Sequence, residues 1–175
     1  MACSFCRSIR FRIAMASIGV AVGIFAGVWF AGEFHSYNSA SFAFVSSIFA
    51  SITLVLHVKY KNGTLHRWTP YLRCLSVLGC VGQLIGFTAF VTYIVLAIVE
   101  HQDLSQVSGE NYWVSLVWGW MTWKWGFGLF WYARGYRKEF EQEYQALAKS
   151  EEGAVKDNGS MQNPSVATSD GELIE

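Results

Sequence analysis

Six side chains in this sequence carry chemistry that a largely apolar chain does not hold without a reason: His57, His101, Lys124, Tyr132, Arg134 and Tyr136. Histidine and tyrosine offer lone pairs to a metal, lysine and arginine bind carboxylates, and aromatic faces take flat molecules. His57 closes an apolar run, and helical steps back through Thr53, Ala50 and Ser46 trace a small or polar stripe that Tyr60 extends the other way. Lys124 stands among Trp118, Trp120, Trp123, Trp125 and Phe127, where an isolated ammonium in hydrocarbon is costly. His101, beside Gln102, follows the third apolar run; Tyr132, Arg134 and Tyr136 lie at the end of the fourth, with Arg137 and Lys138 behind them.

Each of these residues also has a plainer reading. His57 can snorkel at a membrane interface beside Lys59 and Lys61, and Lys124 can rest on a carbonyl or a ring face as a cation-π contact. A lone loop histidine such as His101 usually has no ligand, and Arg134 with its neighbours can serve as a topology signal alone. As a set, imidazoles toward both sides, a buried cation and aromatic plus basic groups at the exit suit a flat, dianionic, iron-containing molecule. Haem has those needs: axial ligands for iron, apolar or aromatic surfaces for the macrocycle and cations for the propionates.

The elements that must position these groups follow from hydropathy. The chain is 53% hydrophobic and 17% aromatic, and its apolar residues are gathered into four blocks, residues 13–34, 41–60, 72–99 and 112–132. Each is about 20 residues or more, the length of a spanning helix. Basic residues are sorted by position: Arg7, Arg10 and Arg12 precede block one, Lys59, Lys61, Arg67 and Arg73 lie between two and three, and Arg134, Arg137 and Lys138 follow four. The other two loops hold no Lys or Arg, and the second adds Glu100, Asp103 and Glu110. The positive-inside rule then predicts an all-α, four-helix transmembrane bundle with both termini cytosolic. The predicted organisation is a cytosolic N-terminal segment at 1–12, a membrane domain at 13–138 and a cytosolic tail at 139–175. A cleaved signal peptide is disfavoured, because the first run is too long for an h-region and no clear small-x-small site precedes Gly32.

Small residues let helices pack closely in lipid, and two blocks supply them: Gly19, Gly23 and Gly27 in the first, and Gly79, Gly82, Gly86 and Ala89 in the third, with Gln83 adjacent. Blocks one and three are therefore expected inside the bundle, and the same surfaces leave a homo-oligomer open. Past block four, Tyr136, Phe140, Tyr144 and Leu147 keep an apolar stripe, so the helix is expected to continue into the tail, with disorder from about Glu151. Cys3, Cys6, Cys74 and Cys80 do not make up a metal-ligand set; Cys3 and Cys6 suit either palmitoylation or free thiols. The sequons at Asn62 and Asn158 lie on the predicted cytosolic side and are expected unmodified, and Tyr144 to Leu147 fits a tyrosine-based sorting signal or simply extends the stripe.

The stretches His101-Gln-Asp-Leu, Val117-Trp, Trp123-Lys-Trp and Tyr132-Ala-Arg-Gly-Tyr-Arg, with Leu54-Val-Leu-His-Val-Lys-Tyr, resemble the haem-responsive gene (HRG) family of haem transporters over about residues 12–140. The resemblance implies a haem permease with four spans and cytosolic termini, bringing haem from the exterior or an endolysosomal lumen into the cytosol without ATP hydrolysis. It makes His57 and His101 axial ligands of haem iron and places Tyr132, Arg134 and Tyr136 in the cytosolic motif, where Gly135 stands in place of a lysine that Arg137 or Lys138 would have to replace. Lys124 is then expected near a propionate. The partners implied are haem and the lipid bilayer, and the membrane is that of the endosome, the lysosome or the cell surface. The competing classes are a non-transporting tetraspan adaptor, for which the outer loops are short and cysteine-free, and a carrier of another small solute or metal ion. No Ser-His-Asp order, phosphate loop or nucleic-acid patch is present, so no catalysis and no nucleic-acid partner are expected.

Overall fold

The computed structural model describes residues 8–102 and 111–161, with 152–161 as backbone alone. The described residues form four long α-helices: α1 Ile9–Gly32, α2 Tyr37–Lys61, α3 Thr69–Val99 and α4 Tyr112–Met161, with a 3-10 turn at Leu65–Trp68. They contain no strand. The punctuation is local chemistry. Gly63, at φ 67°, turns the chain after α2 in a left-handed conformation that costs glycine nothing. Pro70 falls in the first turn of α3, where no intrahelical N–H is needed. Asn111 Oδ1 accepts the Trp113 N–H at 2.9 Å and caps α4.

Among the described residues, three helices are long and apolar enough to cross a membrane, those within Ile9–Gly32, Tyr37–Lys61 and Leu65–Val99. The stretch 112–132, expected as a fourth span, does not reach that hydropathy, because its apolar character lies in Trp and Tyr rings with polar edges and it contains Lys124.

The glycine stripes are contact faces. On α1, a side chain at Gly23 or Gly27 would strike Ser47 or Phe44 of α2, and one at Gly19 would strike the Trp125 ring of α4. On α3, Gly79 and Gly86 meet the backbone of α4 at Phe130 and Trp123, and Gly126 of α4 returns the contact at Gln83. The centre is nevertheless α2, whose most apolar window is 50% buried against 17% in α1 and 22% in the third span. This departs from the expectation that blocks one and three lie inside. A glycine stripe marks one tight face, whereas α2 is touched from several sides through Ser39, Ala43, Ser47, Phe49 and Thr53, all buried.

Polar contacts join α2 to α4 along their length. Ser39 and Ser115 hydroxyls pair at 2.9 Å, and Thr122 Oγ1 donates to the Phe42 carbonyl at 3.3 Å. The chain divides between Lys138 and Glu139 into two compact units. α4 runs on to Met161, ten residues past the expected onset of disorder near Glu151; it prolongs the Glu-, Gln- and Ala-rich turns of 139–152, which have good intrinsic helicity, through a segment that includes Gly153 and Gly159. Cys3, Cys6, Asp103, Glu110 and the tail beyond Met161 lie outside the described residues.

Candidate functional site

The predicted stripe on α2 is an interior face: Ser46, Ala50, Thr53 and His57 are each no more than 2% exposed. Thr53 satisfies its own hydroxyl on the Phe49 carbonyl, leaving His57 as the one imidazole buried at the end of the stripe among the described residues. The snorkelling alternative for His57 does not describe this geometry, since the ring is turned away from solvent at 1% exposure.

Tyrosines enclose that ring. Tyr136 of α4 places its hydroxyl 2.9 Å from His57 Nδ1. The Tyr132 ring, one helical turn earlier, meets the imidazole edge-on at 4.5 Å between centroids, and Tyr60 stacks on Tyr136 at 4.0 Å. Because Nδ1 is taken, Nε2 is the ring nitrogen left for a ligand. The tautomer in which Nδ1–H donates to the Tyr136 oxygen presents Nε2 as a bare lone pair, the form that binds iron.

His57 and Tyr132 open on a cavity of about 310 Å³ between α1, α2 and α4, lined also by Arg12, Met15, Lys124, Trp125 and Trp131. A second hollow of about 150 Å³ continues along α1 and α4 and shares Met15, Lys124 and Trp125 with the first. Lys124 thus stands where the two meet. Its side chain is exposed at the groove rather than buried, with Nζ 5.5 Å from the Trp125 ring and 5.9 Å from Trp120. The aromatic surface expected for a flat ligand is divided: Trp125 lines both hollows, Phe127 and Trp131 the first and Trp118 the second, whereas Trp120 is exposed and lines neither.

Two predicted residues stand apart. Arg134 is exposed and lines neither hollow. Tyr132 and Tyr136 are one turn apart and share a face, and at 100° per residue Arg134, midway between them, points away from it. His101 is exposed in the turn after α3, at φ 48°. There the Gln102 N–H reaches the Ala97 carbonyl and the His101 N–H reaches Ile98, a Schellman arrangement that usually places glycine where His101 stands. Gln102 ties the end of α3 to the start of α4, because its side-chain oxygen accepts the Tyr112 N–H at 2.7 Å and its carbonyl accepts Trp113 Nε1–H at 3.0 Å.

Sequence reading missed Arg12, whose guanidinium lies 5.0 Å over the Tyr132 ring and lines the cavity with His57. As one of three arginines before an apolar run it reads as a topology signal, and only its separation from Arg10 by two residues, which turns one inward and one outward, distinguishes it. A larger hollow of about 620 Å³ lies between α2, α3 and α4, lined by Asn38, Phe42, Thr88, Tyr93 and Tyr112 among others. Its described lining holds no imidazole and no cation, so the smaller cavity is the better candidate.

The family described as "Haem-transporter, endosomal/lysosomal, haem-responsive gene" matches residues 72–125. The chain is 35% identical to heme transporter hrg-1 of Caenorhabditis elegans over 149 residues, 83% of this chain and 77% of that protein. It is 27% identical to heme transporter hrg-6 of the same organism over 140 residues, 77% of this chain and 86% of that one. No solved structure matches. At that identity and coverage, the chain belongs to the haem-responsive gene family of haem transporters.

Proposed function

We propose that this membrane protein is a haem permease, crossing the bilayer four times with both termini cytosolic and moving haem from the exterior or an endolysosomal lumen into the cytosol. The observation that carries the reading is the His57 cluster. A buried imidazole has one nitrogen held by Tyr136 at 2.9 Å and sits at the wall of a cavity shared with Lys124. An imidazole anchored through one nitrogen is the usual form of an iron ligand, because the anchor fixes the ring and its tautomer. His101 accepts haem first, from its exposed turn; His57 takes the iron within the bundle while Lys124 meets a propionate; Tyr132, Tyr136 and Arg134 release it on the cytosolic side.

The fluorescent analogue zinc mesoporphyrin, given to haem-synthesis-deficient cells expressing the protein, tests this. Wild type is expected to accumulate the porphyrin above empty cells, and His57→Ala, at equal membrane expression, to lose most of that gain. Uptake no greater than in empty cells despite correct membrane delivery would instead support a non-transporting role.

A further inference from the structure

Among the described residues, the cavity beside His57 is lined by two cations and no acid. Arg12 and Lys124 both line it, and its other walls are the imidazole, Tyr132 and apolar or aromatic side chains. Each cation rests on a ring instead of a carboxylate: Arg12 over Tyr132 at 5.0 Å, Lys124 beside Trp125 at 5.5 Å. Arg12 also hydrogen-bonds the Tyr136 hydroxyl, but its Nε is buried with no hydrogen-bond partner among the described residues. Nor does it serve its own helix. It sits in the first turn of α1, which carries no acidic residue, so its charge opposes the helix dipole. Arg10, two residues earlier, meets the same positional need for positive charge while pointing out to solvent.

From this arrangement we infer that Arg12 is a specificity-determining residue that, with Lys124, binds the paired carboxylates of the transported porphyrin and so selects dicarboxylate tetrapyrroles over neutral ones. The inference rests on the haem reading of the same cavity. Its physical basis is the exchange of a cation-π contact and a hydrogen bond to a neutral hydroxyl for a charge-assisted, bidentate hydrogen bond when a carboxylate arrives, an exchange that guanidinium geometry favours and that also satisfies the orphaned Nε. Arg12 then leaves the Tyr132 ring only when the substrate carries an acid.

The test uses the purified full chain in lipid nanodiscs and two fluorescent probes, zinc mesoporphyrin and its dimethyl ester. Wild type is expected to bind the diacid about tenfold more tightly or better, the scale of one charge-assisted hydrogen bond. Arg12→Gln is expected to lose that preference while keeping its affinity for the diester, and Arg12→Lys, which retains the charge without the fork, to keep part of it. Wild type binding both probes equally, or Arg12→Gln weakening both alike, overturns the inference and leaves the haem reading standing. Failure of wild type to bind either probe defeats the haem reading and this inference with it.

Discussion

His57 combines complete burial with an unfilled ring nitrogen, and Tyr136 is what makes that tolerable, by occupying Nδ1 at 2.9 Å. Replacing Tyr136 with Phe keeps the ring that stacks on Tyr60 and removes only the hydroxyl. Haem affinity, read from the Soret band in a titration, is then expected to fall about 10–100-fold, the usual consequence of losing the partner that orients a ligand imidazole. His101 makes a complementary prediction. It occupies the left-handed position closing α3, where glycine is free of strain, so His101→Gly is expected to strengthen that helix end by on the order of 1 kcal/mol. Thermal unfolding should move upward while porphyrin uptake falls; unchanged uptake would leave His101 without a role in capture. The residue types of the site were legible because histidine, tyrosine and lysine are unusual in apolar runs. What the sequence hid was direction: Arg134 looked equivalent to its tyrosine neighbours and faces away, whereas Arg12 looked like a topological charge and lines the cavity.

The helices do their positioning through backbone proximity. Gly86 of α3 lies against the Trp123 backbone of α4, which no rotamer change can move aside. Gly86→Leu is therefore expected to cost about 1–3 kcal/mol or more in overpacking and to lower the yield of folded protein in detergent, as measured by gel filtration. Gly135, with open space around it, should accept Ala without loss; equal behaviour of the two variants would contradict the packing described. The glycine spacing revealed these contact faces, since three- and four-residue repeats are helical geometry. It did not reveal that α2 is the most enclosed helix, because Ser, Ala and Thr form a weaker visual stripe than Gly. The mean hydropathy of α4 is lowered by aromatic rings that take the place of aliphatic chains.

At the scale of the whole molecule, the proposed function is an ordered passage of haem from one side of the membrane to the other, and the direction of that passage depends on the proposed topology. With the turn after α2 cytosolic, Asn62 should carry no glycan, and glycosidase treatment should leave the electrophoretic mobility of the mature protein unchanged; a mobility shift abolished by Asn62→Gln would invert the orientation. Charge sorting carried this expectation from the sequence alone, whereas the way α2 and α4 close on each other around His57 depends on contacts 79 residues apart, which no local pattern encodes. The most direct test of haem ligation by His57 is an optical titration of the purified protein with ferric haem, comparing wild type, His57→Ala and His101→Ala. Histidine-ligated spectra are expected for wild type, and loss of a ligation component in each variant, with His57→Ala losing the tighter-bound one. A His57→Ala spectrum and affinity identical to wild type would contradict that ligation.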